Sequence, residues 1–126
     1  MGIVEFPQDD VEHRLRPILS LLPELGRALV GAQSRFSIRQ SDQPATDYSL
    51  MQKADLQIEK GLRDAVLSFY KTDRVTSEEA GEAGGTGDFH WWMDPVDGTR
   101  NYVHGLPLYA MSVGLCFRGT PVAGAV

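Results

Sequence analysis

The sequence predicts an α+β fold in which two N-terminal helices pack on an antiparallel sheet. Apolar residues recur at helical spacing through the first thirty residues and again from about Ala54. The second half breaks instead into short β-rich runs punctuated by Gly, Pro and Asp. With 126 residues, 42% hydrophobic and 23% charged, the chain can bury a core, and no repeat, charge block or linker divides it. Residues 1–126 therefore read as a single α+β unit.

The first helix is expected from Asp9 and Asp10, which can cap an N-terminus, with Leu15, Ile18, Leu19, Leu22, Leu25 and Leu29 on one face. Pro17 and Pro23 interrupt that run, so the helix should either kink or start later than Asp10, with Gly31 near its end. "RFSIRQ" reads as a short strand and "SDQPATDYS" as a polar loop. A second amphipathic helix should run from about Ala54 to Tyr70, with Ala54, Ile58, Leu62, Ala65, Val66 and Phe69 on its apolar side. Lys53, Glu59, Lys60 and Arg63 lie elsewhere on it, and Asp55 falls in its first turn. "DRVTSEE" and "FHWWMD" read as strands that both run out into carboxylates, joined by a flexible loop, "AGEAGGTGD". After a turn from Asp94 to Thr99, "TRNYVH" forms a short helix closed by Gly105 and Pro107. "LYAMSVGLCF" and "PVAGAV" complete the chain as a hairpin turning at "RGT".

Composition narrows the function. The net charge is −5 and the 12 basic residues are scattered, which argues against a nucleic-acid partner and for a small ligand or a metal-bridged anion. Cys116 is the single cysteine, so no internal disulfide forms and a reducing compartment suits the chain; its apolar neighbours predict a buried, inert thiol. The N-terminus has no signal-peptide pattern and no apolar run approaches the ~20 residues of a membrane span. The expected location is cytoplasmic, with no membrane contact.

The chemistry concentrates in "WWMDPVDGTRNYVHGLP". Asp94 and Asp97 are like charges that repel unless a cation lies between them. If the strands ending in "SEE" and "WWMD" lie side by side, Glu78 and Glu79 join them at one sheet edge. Hard oxygen ligands suit Mg²⁺ or Mn²⁺. Pro95 fixes its backbone and can turn the Val96 carbonyl toward that cation. Gly98 and Thr99 open a helical turn whose free N–H groups attract an anion, so a phosphate there would touch the metal. Carboxylate-bridged metals that neutralise phosphate and align a water are the logic of phosphoester hydrolysis.

Taken singly these features are ordinary. "DPVDGT" is a common turn, Asp55 a first-turn helix charge, "SEEAGE" a solvated acidic loop, and His13, His90 and His104 are too scattered to ligate together. Two rivals fail on spacing. An EF-hand opening at Asp94 needs an acid or amide where Val96 stands and a Glu where Gly105 stands. Haloacid-dehalogenase-type phosphatases separate their two acids by one residue, whereas Pro95 and Val96 both intervene here.

Together "TSEEAG", "WWMDPVDGTRNYVHGLP" and "YAMSVGLCFRGTPVAGAV" resemble the inositol monophosphatase family, from about Leu15 onward. The resemblance implies the N-terminal part of that family's layered α/β fold and a Mg²⁺-dependent, lithium-sensitive phosphomonoesterase, with Mn²⁺ as a substitute. It further implies that Glu78, Asp94, Asp97 and the Val96 carbonyl ligate metal. Thr99 would work with Glu78 to position the attacking water, the Gly98–Thr99 backbone would hold phosphate, and Asp55, in "KADLQIEK", would hydrogen-bond Thr99. Ser77 stands where the family usually has Gly, Arg100 and Tyr102 replace the commoner Thr and Phe, and "SDQPATDYS" lacks a lysine often found there.

The expected activity is hydrolysis of a small phosphorylated alcohol by a metal-activated water, with inositol monophosphate as the first substrate. Sugar bisphosphates, histidinol phosphate and 3′-phosphoadenosine 5′-phosphate are the alternatives. Family members run to roughly twice this length, and the chain stops at Val126 in an apolar strand, so truncation and self-pairing as a homo-oligomer are expected. A catalytically incomplete metal- or phosphate-binding fragment is the competing reading.

Overall fold

The computed structural model describes residues 5–35 and 44–126. Helix α1 (Gln8–Ala32) and helix α2 (Pro44–Phe69) precede strands β1 (Arg74–Ser77), β2 (Gly81–Gly84) and β3 (Phe89–Asp97). Helix α3 (Thr99–Val103) leads into β4 (Ala110–Phe117) and β5 (Thr120–Ala125). The five strands form one sheet in the order β2-β1-β3-β4-β5. It is antiparallel except for β1 and β3, which run parallel, so the predicted antiparallel sheet is in fact mixed.

Helix α1 starts earlier than expected and passes through both prolines. Asp9 and Asp10 lie inside its first turn, favourably placed for the helix dipole, but neither caps it; Pro7 occupies that position. Each internal proline costs about 3 kcal/mol in an isolated helix. The helix persists because Val11, Leu15, Ile18, Leu22, Leu25 and Leu29 form an unbroken seam against the rest of the fold. Leu19, expected on that face, is half exposed.

Helix α2 begins ten residues before its predicted start, so Pro44 to Ser49 are helical rather than loop. Arg35 sits in a 3-10 turn at the end of α1, and the rest of the strand expected at "RFSIRQ" lies outside the described residues. The buried stripe of α2 is Met51, Asp55, Glu59, Leu62 and Val66, with Ala54 and Ile58 beside it. Phe69, assigned to the apolar side, is 66% exposed. The stripe is displaced by one column because it contains two acids that a hydrophobicity count assigns to solvent.

The glycine-rich stretch after β1 is not a free loop. It forms β2, which pairs with β1, and its continuation packs on the backbone of Thr72 and Asp73. A Cβ at Gly84 would stand 2.2 Å from the Asp73 carbonyl oxygen, and φ there is +90°, so glycine is required. The main core lies between the helices and one sheet face: Val11, Ile18, Leu62 and Val66 meet Val75, Trp91, Met93, Val113 and Leu115. A second cluster of Leu29, Met51, Val96, Tyr102 and Val103 sits under the α3 turn. Tyr102, where the family pattern has Phe, donates its hydroxyl to the Leu29 carbonyl at 2.6 Å and so ties α3 to α1. Cys116 is half-buried and unpaired rather than fully buried. Among the described residues no helix is long and apolar enough to cross a membrane.

Candidate active site

The site is assembled by the parallel pairing of β1 with β3. Ser77 is level with Met93, so the next residue of each strand, Glu78 and Asp94, emerge side by side at the strand ends. This is the adjacency on which the convergence of acids depended. The Glu78 and Asp94 carboxyls face each other closely enough that each shifts the proton affinity of the other. The charge of Asp94 pushes the Glu78 carboxyl above its ordinary range. Asp94 is raised by burial and then by Asp97, partly offset by the neighbouring Glu78 carboxyl and Val96 backbone.

A bulge brings Asp97 back toward Asp94. From Asp94↔Ser112 to Asp97↔Ala110, β3 advances one residue more than β4. A regular strand would point residues three apart to opposite faces; the extra residue restores the parity. Burial follows this step: Trp91, Met93 and Pro95 are buried with Trp92 and Asp94 facing out, then Val96 is buried as well and Asp97 is exposed.

At the turn, Gly98 has φ +86° and caps α3. A Cβ there would lie 2.7 Å from the Leu108 carbonyl oxygen. The Thr99 hydroxyl donates to the Val96 carbonyl at 3.0 Å. The bond between Asp55 and Thr99 implied by the resemblance is not made through Asp55 Oδ1, which is buried and accepts no hydrogen bond. Asp55 is also in mid-helix rather than in a first turn, so no helix N-terminus relieves its charge. Burial, followed by the charges of Glu59, Glu79, Asp94 and Glu78, pushes its pKa up to about 7.

Glu59 escaped the sequence reading. It is fully buried, and its two oxygens accept the backbone N–H groups of Glu79 at 3.0 Å and Ala80 at 2.8 Å. The available signal was its spacing: it lies one helical turn after Asp55, in the column shared by Met51, Leu62 and Val66. A cavity of about 680 Å³ opens on the outer sheet face beside Glu78 and Asp94, lined also by Thr76, Trp92, Ser112 and Gly114. Asp55, Asp97 and Thr99 do not line it. Among the described residues no three His, Cys, Asp or Glu side chains close into a ready-made metal cage. Three histidines stay apart from the acids: His13 edges Tyr70, His90 pairs with Thr76 on the outer sheet face, and His104 follows α3.

The geometry has counterparts among known proteins. A fructose-1,6-bisphosphatase/inositol-1-monophosphatase of Aquifex aeolicus is 40% identical over 68 residues, covering 54% of this chain and 26% of its own. An inositol-1-monophosphatase of Mycobacterium leprae is 33% identical over 105 residues, covering 77% and 34%. The crystal structure of extragenic suppressor protein SuhB from Bartonella henselae superposes with a TM-score of 0.70 at 25% identity, covering 87% of this chain and 41% of that one. The chain thus spans about a quarter to a third of the length of these curated relatives. The inositol monophosphatase family model matches residues 16–126, which include both acidic strand ends, the bulge and the Gly98 turn, and the chain belongs to that family.

Proposed function

We propose that the chain carries the metal- and water-holding part of a phosphomonoesterase site acting on a small phosphorylated alcohol. The observation that supports it most is the β1–β3 register, which sets Glu78 beside Asp94 and, with the bulge, Asp97 near both. Four carboxyl groups that raise or crowd one another, with an orphaned buried oxygen on Asp55, fit a hard divalent cation such as Mg²⁺ or Mn²⁺. Glu78, Asp94, Asp97 and the Val96 carbonyl would hold it. Such a cation supplies neutralisation of phosphate oxygens and acidifies water for in-line attack.

In this reading Glu78 and Thr99 orient the attacking water. Thr99 Oγ1 is held toward the Val96 carbonyl by a single hydrogen bond, and turning that proton toward Asp55 would free the hydroxyl oxygen to accept from water. The backbone of Gly98 and Thr99 would receive the phosphate. The negative chain favours a small anion held by metal over a nucleic acid. Inositol monophosphate is the first substrate; a sugar bisphosphate is the second, in keeping with the double name of the Aquifex aeolicus relative. The cytoplasm is the proposed compartment, and association of copies is proposed through β5, which forms an edge of the sheet.

The test is Mg²⁺-dependent phosphate release by the purified chain from a panel of these phosphates, with lithium and Asp97→Asn as controls and light scattering for the assembly state. Release abolished by both controls supports the full reading, and the best substrate names the specificity. A folded chain that binds Mn²⁺ but releases nothing would limit the reading to metal binding, the incomplete-site alternative.

A further inference from the structure

We infer that Glu59 is a positioning residue that sets the metal affinity of the acidic strand ends by clamping the turn that carries Glu78. The inference rests on the metal-site reading above and adds a residue to it. Glu59 is fully buried in the stripe of α2 that packs under the site. Buried carboxylates are expensive and persist where each oxygen has a partner. Here each oxygen has one: Oε1 accepts from the N–H of Glu79 at 3.0 Å, and Oε2 from the N–H of Ala80 at 2.8 Å.

The geometry explains why this pair of bonds bears on Glu78 and not merely on stability. Two consecutive amides held by the two ends of one rigid carboxylate leave the 78–79 and 79–80 peptides little freedom to rotate. Glu78 is covalently the next residue, and on its other side Ser77 is locked in β1. With both flanks fixed, the Cα–Cβ direction of Glu78 is fixed, and with it the approach of its carboxyl to Asp94. Glu59 is anchored in turn by a helix whose neighbouring residues Met51, Leu62 and Val66 are buried in the core. The clamp therefore refers the mobile kind of element, a turn between β1 and β2, to the most rigid part of the fold. It also fixes the turn relative to Asp55, one helical turn away on the same stripe.

Outer groups of this kind commonly change metal affinity by about 10- to 100-fold when removed. Glu59→Gln keeps the side-chain shape but turns one acceptor into an NH₂ donor facing a backbone donor, so one of the two amides loses its partner. The experiment measures Mn²⁺ binding by electron paramagnetic resonance and isothermal titration, together with amide hydrogen exchange at Glu79 and Ala80. It compares wild type, Glu59→Gln and Leu115→Ala, a destabilising core truncation on β4 that touches neither the turn nor Glu59 in sequence.

The expected result is Mn²⁺ binding weakened by about 10- to 100-fold in Glu59→Gln, with faster exchange at Glu79 and Ala80, while Leu115→Ala keeps wild-type affinity. Equal affinity in wild type and a folded Glu59→Gln would overturn the inference, and so would an equal loss in Leu115→Ala, which would make the effect one of general stability. Should Glu59→Gln fail to fold, an amide-to-ester replacement at Ala80 deletes only that N–H, and the same loss of affinity is required of it. Absence of Mn²⁺ binding in the folded wild type is a different failure, since it removes the metal site itself.

Discussion

Arg14 grips Asp73 with two bonds, Nε to Oδ2 at 2.9 Å and Nη2 to Oδ1 at 3.0 Å, across 59 residues of sequence. Asp73 is almost wholly buried and also accepts the indole N–H of Trp91 at 3.0 Å, while the guanidinium lies over the rings of Tyr70 and Phe89. This network joins the first helix to the start of β1 and to the centre of β3. Arg14→Ala leaves Asp73 as a buried charge without its counter-ion and should cost about 3–5 kcal/mol in urea unfolding. Lys60→Ala breaks the exposed pair with Asp64 and should leave the unfolding midpoint in the same assay nearly unchanged.

Asp55 gives the metal-free protein a pH dependence of unusual sign. Its carboxyl rises from the ordinary 3.8 to about 7 in the folded chain. Between those values the folded state holds a proton that the unfolded state has lost, so stability falls as pH rises through that window. Glu78 and Asp94 are shifted in the same direction. Chemical denaturation in chelator should therefore show lower stability at pH 7.5 than at pH 5. In Asp55→Asn the fall should be smaller and the stability at pH 7.5 higher than in wild type.

A divalent cation bound as proposed should reverse that trend, since it would compete with protons for the same oxygens. At a hundred times its Kd, Mn²⁺ should stabilise the fold by ~2.7 kcal/mol. The gain should be larger at pH 7.5 than at pH 5 and should vanish in Asp94→Asn. Thermal melts across a Mn²⁺ titration check this, and an unchanged gain in Asp94→Asn would remove Asp94 from the ligand set.

Gly98 links backbone strain to the turn between the acids and α3. Alanine there must adopt φ +86° and place a Cβ 2.7 Å from the Leu108 carbonyl oxygen. Gly98→Ala should cost at least about 1–3 kcal/mol and displace the turn that holds Thr99 against Val96. Gly105→Ala is the comparison: its φ is +76° but nothing lies within 4 Å of the added Cβ, so only the strain remains. Denaturation of the two variants should rank Gly98→Ala as clearly the worse.

By itself the sequence determined the element types, since hydrophobic period and turn residues are local properties. Both helices, the β3 and β4–β5 strands, the short α3 and the adjacency of the strand ends at Glu78 and Asp94 were all legible in spacing and motif. Tertiary structure decided the rest. Packing of the α1 seam overrode two proline breaks, and α2 runs back through "PATDYS" despite the loop-like composition of that stretch. β2 pairs with β1, and Gly84 lets its end lie against the Asp73 carbonyl, where a Cβ has no room. Asp55 and Glu59 look like solvent-facing charges until the fold turns their column inward. Glu59 then finds backbone donors 20 and 21 residues away, and no local pattern can announce such a partner.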